Sequence, residues 1–121
     1  MDSGLEIQCS QQGRQCRVSL FGRITIDSAP DLRVLLLRRL EDPKCQGLTV
    51  DFYDVVYIDA SGLAILLEAL KASRAQQKTF HLSRLRERPR YLMETTRLLH
   101  LFDNDVLEAA GAGVSNHEGP C

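Results

Sequence analysis

Val50-Asp51-Phe52-Tyr53-Asp54-Val55-Val56-Tyr57-Ile58-Asp59-Ala60-Ser61-Gly62-Leu63-Ala64-Ile65-Leu66-Leu67-Glu68-Ala69-Leu70 is the stretch whose reading decides the fold. At its start Leu48, Val50 and Phe52 alternate with Thr49 and Asp51, the period-two pattern of a strand with one covered face. At its end Leu63, Leu66, Leu67 and Leu70 recur at helical spacing. The change of period falls between Asp59 and Gly62. The stretch therefore reads as strand, loop and helix, with Asp59-Ala60-Ser61-Gly62 at the helix entrance and Ser61 at or just before the N-terminus.

Upstream, Leu5, Ile7 and Cys9 alternate with polar residues, Gln11-Gln12-Gly13-Arg14 interrupts, and Cys16, Val18 and Leu20 resume the alternation, so a β-hairpin is expected. Asp27-Ser28-Ala29-Pro30 offers capping side chains and then a proline suited to a first helical turn. A helix should follow from about Ser28 to Leu40, with Leu32, Leu35, Leu36 and Leu40 on one face, ended by Asp42-Pro43. Downstream, Phe80 and Leu82 mark a fourth strand, Pro89 can begin a helix carrying Leu92 and Met93, and Val106-Leu107 offers a short last strand. The order β-β-α-β-α-β-α predicts an α/β fold with a mixed sheet of four to five strands, joined by right-handed crossovers. Because the strands alternate instead of running continuously apolar, the helices are expected mainly on one face. Residues 1–110 read as one domain and residues 111–121, apolar-poor and aperiodic, as a mobile tail.

A chain of 121 residues, 44% hydrophobic and 26% charged, fits one domain with its own core. With 15 basic and 16 acidic residues, its net charge of -1 gives no overall attraction to nucleic acid or an anionic membrane. The longest apolar runs fall far short of the roughly 20 residues of a spanning helix, so no membrane insertion is expected. No basic region followed by an apolar stretch opens the sequence, which points to the cytoplasm. Cys9, Cys16, Cys45 and Cys121 show no zinc-ligand spacing, and Cys9 and Cys16 fall on apolar strand positions, as small core residues of a reducing compartment do.

Ser61 has two readings. A serine before an apolar helix commonly serves as its N-cap. It is alternatively a modification site, since a phosphate there would meet unpaired backbone N–H groups and the positive end of the helix dipole. Asp59 could cap the helix or fix the loop by an Asx turn, or take a direct part in phosphoryl transfer. Gly62 leaves room beside the hydroxyl for a partner, or serves only the turn. Hydrolase chemistry is not expected, because no G-x-S-x-G element is present and His81, His100 and His117 have no evident link to Ser61. Neither a metal nor a cofactor is expected, since no H-E-x-x-H, Walker A or dinucleotide fingerprint occurs. Arg84, Arg86, Arg88 and Arg90 form the one dense basic cluster, read as a solvated loop ahead of a contact for an acidic partner, a phosphate or a lipid headgroup.

With Asp59-Ala60-Ser61-Gly62-Leu63 and the segment Gly22-Arg23-Ile24-Thr25-Ile26-Asp27-Ser28-Ala29-Pro30-Asp31-Leu32 in view, the chain resembles a STAS domain over residues 5 to 108, and within that family the bacterial anti-sigma-factor antagonists. The resemblance implies a binding module and not an enzyme. It implies that Ser61 is phosphorylated by an anti-sigma factor that is itself a serine kinase, that the unphosphorylated domain sequesters that kinase, and that a phosphatase restores it. It also implies a partner surface formed by Asp59, Ala60, Ser61, Gly62, Leu63, Thr25, Asp27 and Ser28. Two departures stand out: Ala60 replaces the serine or threonine often found before the modified serine, and the acidic G-E-L-D element reads Gly22-Arg23-Ile24-Thr25. The alternative is an accessory subunit of a lipid-transport ABC complex or a stress-signalling assembly, in which the same surface would dock on a transporter or other partner.

Overall fold

Five strands and three helices follow one another along the chain: β1 (Leu5–Gln12), β2 (Gln15–Ile24), α1 (Ala29–Glu41), β3 (Gly47–Ile58), α2 (Ala60–Ala75), β4 (Thr79–Leu85), α3 (Glu87–Thr95) and β5 (Asp103–Val106), with a 3-10 turn at Leu99–Leu101. The structure, a computed structural model, describes residues 4–106. The expected tail and Leu107 lie outside the described residues. The last strand starts at Asp103, ahead of the Val106-Leu107 pair that marked it in the sequence.

The strands lie in the order β1-β2-β3-β4-β5. β1 and β2 form the antiparallel hairpin, and every later pairing is parallel. Each parallel step moves one strand further in the same direction, so right-handed crossovers place all three helices on one side of the sheet. The burial pattern agrees. Val18, Leu20, Leu48, Val50, Phe52 and Leu82 are buried beneath the helices, and each large apolar side chain so covered contributes about 1.5–3 kcal/mol. From α1 come Leu32, Leu36 and Leu40 at four-residue spacing, and from α2 come Leu63, Leu66 and Leu70. The two helices pack side by side, bridged by an ion pair of Arg33 and Glu68 at 2.7 Å.

The opposite face is polar. Gln8, Ser19, Asp51 and Ser83 form one row across it, and Ser10, Arg17, Thr49, His81 and Asp103 the next. Asp51 is buried there by its partners: Arg84 grips it with Nε at 3.1 Å and with Nη2, Arg17 stands 3.4 Å away, and the Tyr53 N–H donates at 3.0 Å. The Arg84 and Arg86 guanidinium groups stack on the Tyr53 ring at 4.7 and 4.8 Å. The basic cluster is thus not the solvated loop that its composition suggested. Arg84 and Arg86 are structural, and Arg90 pairs with Glu94 along α3.

Cys9, Cys16 and Cys45 are buried free thiols. Burial, reinforced by the hydrogen bond and charge of Cys45, pushes the Cys16 thiol up to about 11, so it carries no thiolate at neutral pH.

β3 has 12 residues where its partner β2 has 10. The surplus is taken up at two register shifts, where Ser19 to Phe21 faces Asp51 to Asp54 and Gly22 to Arg23 faces Val55 to Tyr57. Each inserts one residue and turns the side chains over. The inward set accordingly runs Leu48, Val50, Phe52, Val55, Ile58, with spacing that widens from two to three. Gly22, opposite Val55, has φ +118°, and a Cβ there would collide with the Gly4 carbonyl oxygen, which accepts from Arg23 N–H at 2.8 Å. The hairpin and the end of β3 are drawn together at the point where the chain enters α2.

Candidate functional site

The end of β3 is fixed by Asp59 N–H donating to Ile24 O at 3.1 Å. Asp59 is extended, with φ -111° and ψ -172°, and is the N-cap of α2. Its Oδ1 accepts from Ser61 N–H at 2.9 Å, Gly62 N–H at 3.2 Å and Ser61 Oγ–H at 2.5 Å. Burial works against the charged form of Asp59, but the Ser61 hydroxyl and the N–H groups of Gly62 and Ser61 together hold its carboxyl below the usual carboxylate range. The capping role expected of Ser61 therefore belongs to Asp59. Ser61 is the second residue of the helix, half-exposed, with its hydroxyl proton given to the cap.

The neighbouring Thr25–Ser28 loop is closed on itself. Ser28 Oγ accepts from Thr25 N–H at 3.0 Å and donates to Arg23 O at 2.9 Å, while Ala29 N–H reaches Thr25 O at 2.7 Å. Ser28 occupies the N-cap position of α1 without capping it by its side chain. It is fully buried, so it shapes the loop and presents nothing to a partner. Asp27 is exposed and Thr25 half-exposed.

Gly62 is buried as well. A Cβ built on it would stand 2.7 Å from both Ile24 Cγ2 and Ile58 Cγ1, so its missing side chain lets α2 lie on the ends of β2 and β3. Leu63 is 5% exposed and points into the core. Of the eight expected contact residues, Gly62, Leu63 and Ser28 are thus internal supports, whereas Asp59, Ala60, Ser61, Thr25 and Asp27 reach the surface around one helix entrance.

Two apolar side chains that the sequence reading passed over flank this entrance. Ile26 is 72% exposed at the tip of its loop, and Tyr91 is 69% exposed on α3. Tyr91 lines an open cleft of about 800 Å3 between Tyr57, Asp59 and Ala60 on one side and Arg88 and Leu92 on the other. The only cue to Ile26 was a lone apolar residue in a polar turn, and to Tyr91 its place on a short helix that buries Pro89 and Met93 alone. Among the described residues no helix is long and apolar enough to cross a membrane, and no group of three His, Cys, Asp or Glu side chains is gathered to hold a metal ion.

A hairpin leading into parallel β-α units, with a capped serine where the central strand meets its helix, defines the STAS class. The family described as "Mlab, STAS domain" matches residues 7–108, and the chain belongs to it. It is 30% identical over 109 residues to the anti-sigma-B factor antagonist of Bacillus subtilis (strain 168), across 88% of this chain and 96% of that protein. An anti-sigma factor antagonist from Mycobacterium paratuberculosis superposes with a TM-score of 0.77 at 19% identity, covering 86% of this chain and 87% of that one. The Bacillus cell fate determinant SpoIIAA in its phosphorylated form gives 0.67 at 14% identity, covering 83% and 91%. At these identities the solved structures show a shared fold.

Proposed function

We propose that this chain is an anti-sigma-factor antagonist, a cytoplasmic binding module switched by phosphorylation of Ser61. Unphosphorylated, it holds an anti-sigma factor that is also its serine kinase; phosphorylated, it releases that partner, and a phosphatase resets it. The observation that carries this reading is the Ser61 hydroxyl, half-exposed at the second position of α2 and held by Asp59, in a chain of this family. In the transfer, the Ser61 Oγ–P bond forms as the bond from the γ-phosphorus of ATP to its bridging oxygen breaks, ADP leaves, and the hydroxyl proton passes to a base. Asp59, already an acceptor of several hydrogen bonds and depressed in pKa, is a weak base, so that base is expected from the kinase. The added group carries about -1.5 to -2 charge at neutral pH, enough to repel an acidic or apolar partner surface.

The test is incubation with the cognate anti-sigma factor and ATP, followed by mass spectrometry of the wild type and of Ser61→Ala. One phosphate on the wild type and none on the variant supports the reading; modification elsewhere, or none, removes it. A second reading is favoured by Ala60, Arg23 and Thr25, which replace the hydroxyl and acidic residues of the family pattern. It makes the chain an accessory subunit of a lipid-transport complex, docking by the same surface with no phosphate turnover. Co-purification with transporter subunits in place of a kinase would select it.

A further inference from the structure

β1 is an outer strand of the sheet, and no other described strand pairs with its outer side. Arg23 N–H donates to Gly4 O at 2.8 Å, and from that pair the ladder with β2 runs to Gln12 and Gln15 without a register shift. Bonded and non-bonded pairs alternate in an antiparallel ladder, so Glu6, Gln8, Ser10 and Gln12 turn both backbone groups toward β2. Leu5, Ile7, Cys9 and Gln11 turn theirs outward. The two outer edges of the sheet are not alike. β5 has 4 residues, Asp103 and Asp105 among them, and is the short, charged kind of edge that resists pairing. β1 has 8, with no proline, lysine or bulge, and Glu6 is its single charge.

We propose that this edge is a self-association surface: β1 pairs antiparallel with β1 of a second copy, and two five-stranded sheets run on as one. The backbone selects a register with the two-fold axis at Gln8. Leu5 then opposes Gln11 of the second copy and Ile7 opposes its Cys9, so every outward N–H and C=O of the strand is paired. Sliding by one residue sets outward groups against inward ones. Sliding by two leaves either Leu5 or Gln11 beyond the end of the facing strand. The charges agree with the same register. Glu6 faces Ser10 of the second copy, and the two Glu6 residues lie about 13 Å apart along the strands, beyond the screening length of about 8 Å at physiological salt. On the helix side Ile7, half-buried in one copy, meets Cys9 of the other. Because the joined strands are antiparallel, the two Ser61 entrances lie at opposite ends of the sheet and both stay open. The pair is a bivalent module, whether or not Ser61 is modified.

Sedimentation equilibrium of the full chain is expected to show a dimer that builds with concentration. Gln11→Pro removes one outward donor from each copy and no bond to β2, so it should weaken the dimer about tenfold or more while the β2 amides keep their protection from exchange. The register is read by crosslinking in a Cys121→Ser background, where Cys9, Cys16 and Cys45 are buried. Gln8→Cys stands opposite itself in a non-bonded pair, with Cα atoms about 4.5 Å apart, a span that a disulfide bridges. With oxidised glutathione as the oxidant, reduced to two glutathione thiols for each bridge made, Gln8→Cys should become a covalent dimer. A mixture of Glu6→Cys and Ser10→Cys should do the same, and Ser10→Cys alone should not. A wild type that stays monomeric, a Gln11→Pro dimer of undiminished strength, or self-crosslinking by Ser10→Cys in place of Gln8→Cys overturns the proposal.

Discussion

Replacing Asp51 by alanine tests whether the polar face of the sheet is held together by this buried carboxylate. Asp51 is 4% exposed and receives two bonds from Arg84, one from the Tyr53 N–H, and the charge of Arg17 at 3.4 Å. Removing one partner of a buried ion pair costs about 3–5 kcal/mol. The Arg17 and Arg84 side chains keep 20% and 23% of their exposure, so water partly replaces the lost acceptor and the expected cost falls to about 2–3 kcal/mol. Arg84 also loses the anchor for its left-handed backbone, φ +56°. With a urea slope of about 1–3 kcal/mol/M, the unfolding midpoint should drop by about 0.7–3 M. The pH dependence follows from the same geometry. Burial pushes the Asp51 carboxyl up, but the Arg84 and Tyr53 hydrogen bonds and the two guanidinium charges outweigh it and leave its pKa below the ordinary carboxylate value. A pKa depressed by folding gives stability that is present above the unfolded value, about 3.9, and is lost as pH falls through the folded one. The gap between wild type and Asp51→Ala in urea titrations should therefore be wide at pH 7 and narrow progressively as the pH is taken below the unfolded value. A loss below about 0.5 kcal/mol at pH 7, the size of an ordinary surface substitution, would refute the reasoning.

Gly62→Ala sets a helix-propensity gain of about 1 kcal/mol against overlap with two buried, β-branched isoleucines, which costs about 1–3 kcal/mol. The variant should melt lower by thermal denaturation, and a higher melting point would show that α2 has room to rise off the sheet. Gly22→Ala should cost about 1–3 kcal/mol, because alanine resists φ +118° and its Cβ meets the Gly4 carbonyl; an unchanged melting temperature would mean that the hairpin end is free to relax. Lys78 Nζ donates to Leu40 O at 2.5 Å and Asp42 O at 2.9 Å beyond the end of α1, so Lys78→Met should lose about 1–2 kcal/mol in chemical denaturation, and no loss would show that water satisfies those carbonyls equally well.

The order of elements could be read from the sequence because each change of period is sharp: alternation through Leu5, Ile7 and Cys9, helical spacing through Leu32, Leu36 and Leu40, and the switch at Asp59. The far half of β3 could not. Alternation stops at Phe52 because two inserted residues turn the side chains over, and an inserted residue looks the same as a loop when only one strand is in view. At the helix entrance both Asp59 and Ser61 are residues that cap. The choice between them depends on the backbone bond from Asp59 to Ile24 O, a partner 35 positions away. The arginines from 84 to 90 posed the same difficulty, since what fixes two of them is Tyr53 and Asp51 on a neighbouring strand. Burial of Ser28 and Gly62 likewise follows from how β2, β3 and α2 meet, which local spacing does not record.

The two inserted residues of β3 also make the strand a ruler. Every position between Phe52 and Ile58 is counted against β2, so a single deletion there would rotate Asp59 and Ser61 to the wrong side or pull the helix entrance off its seat, whatever residues remained. The turn at Gly13 has no such duty. Natural length variation in close relatives of this chain should therefore gather in the hairpin turn and the α1–β3 connection, and the interval from Asp51 to Ser61 should keep its count even where its letters drift.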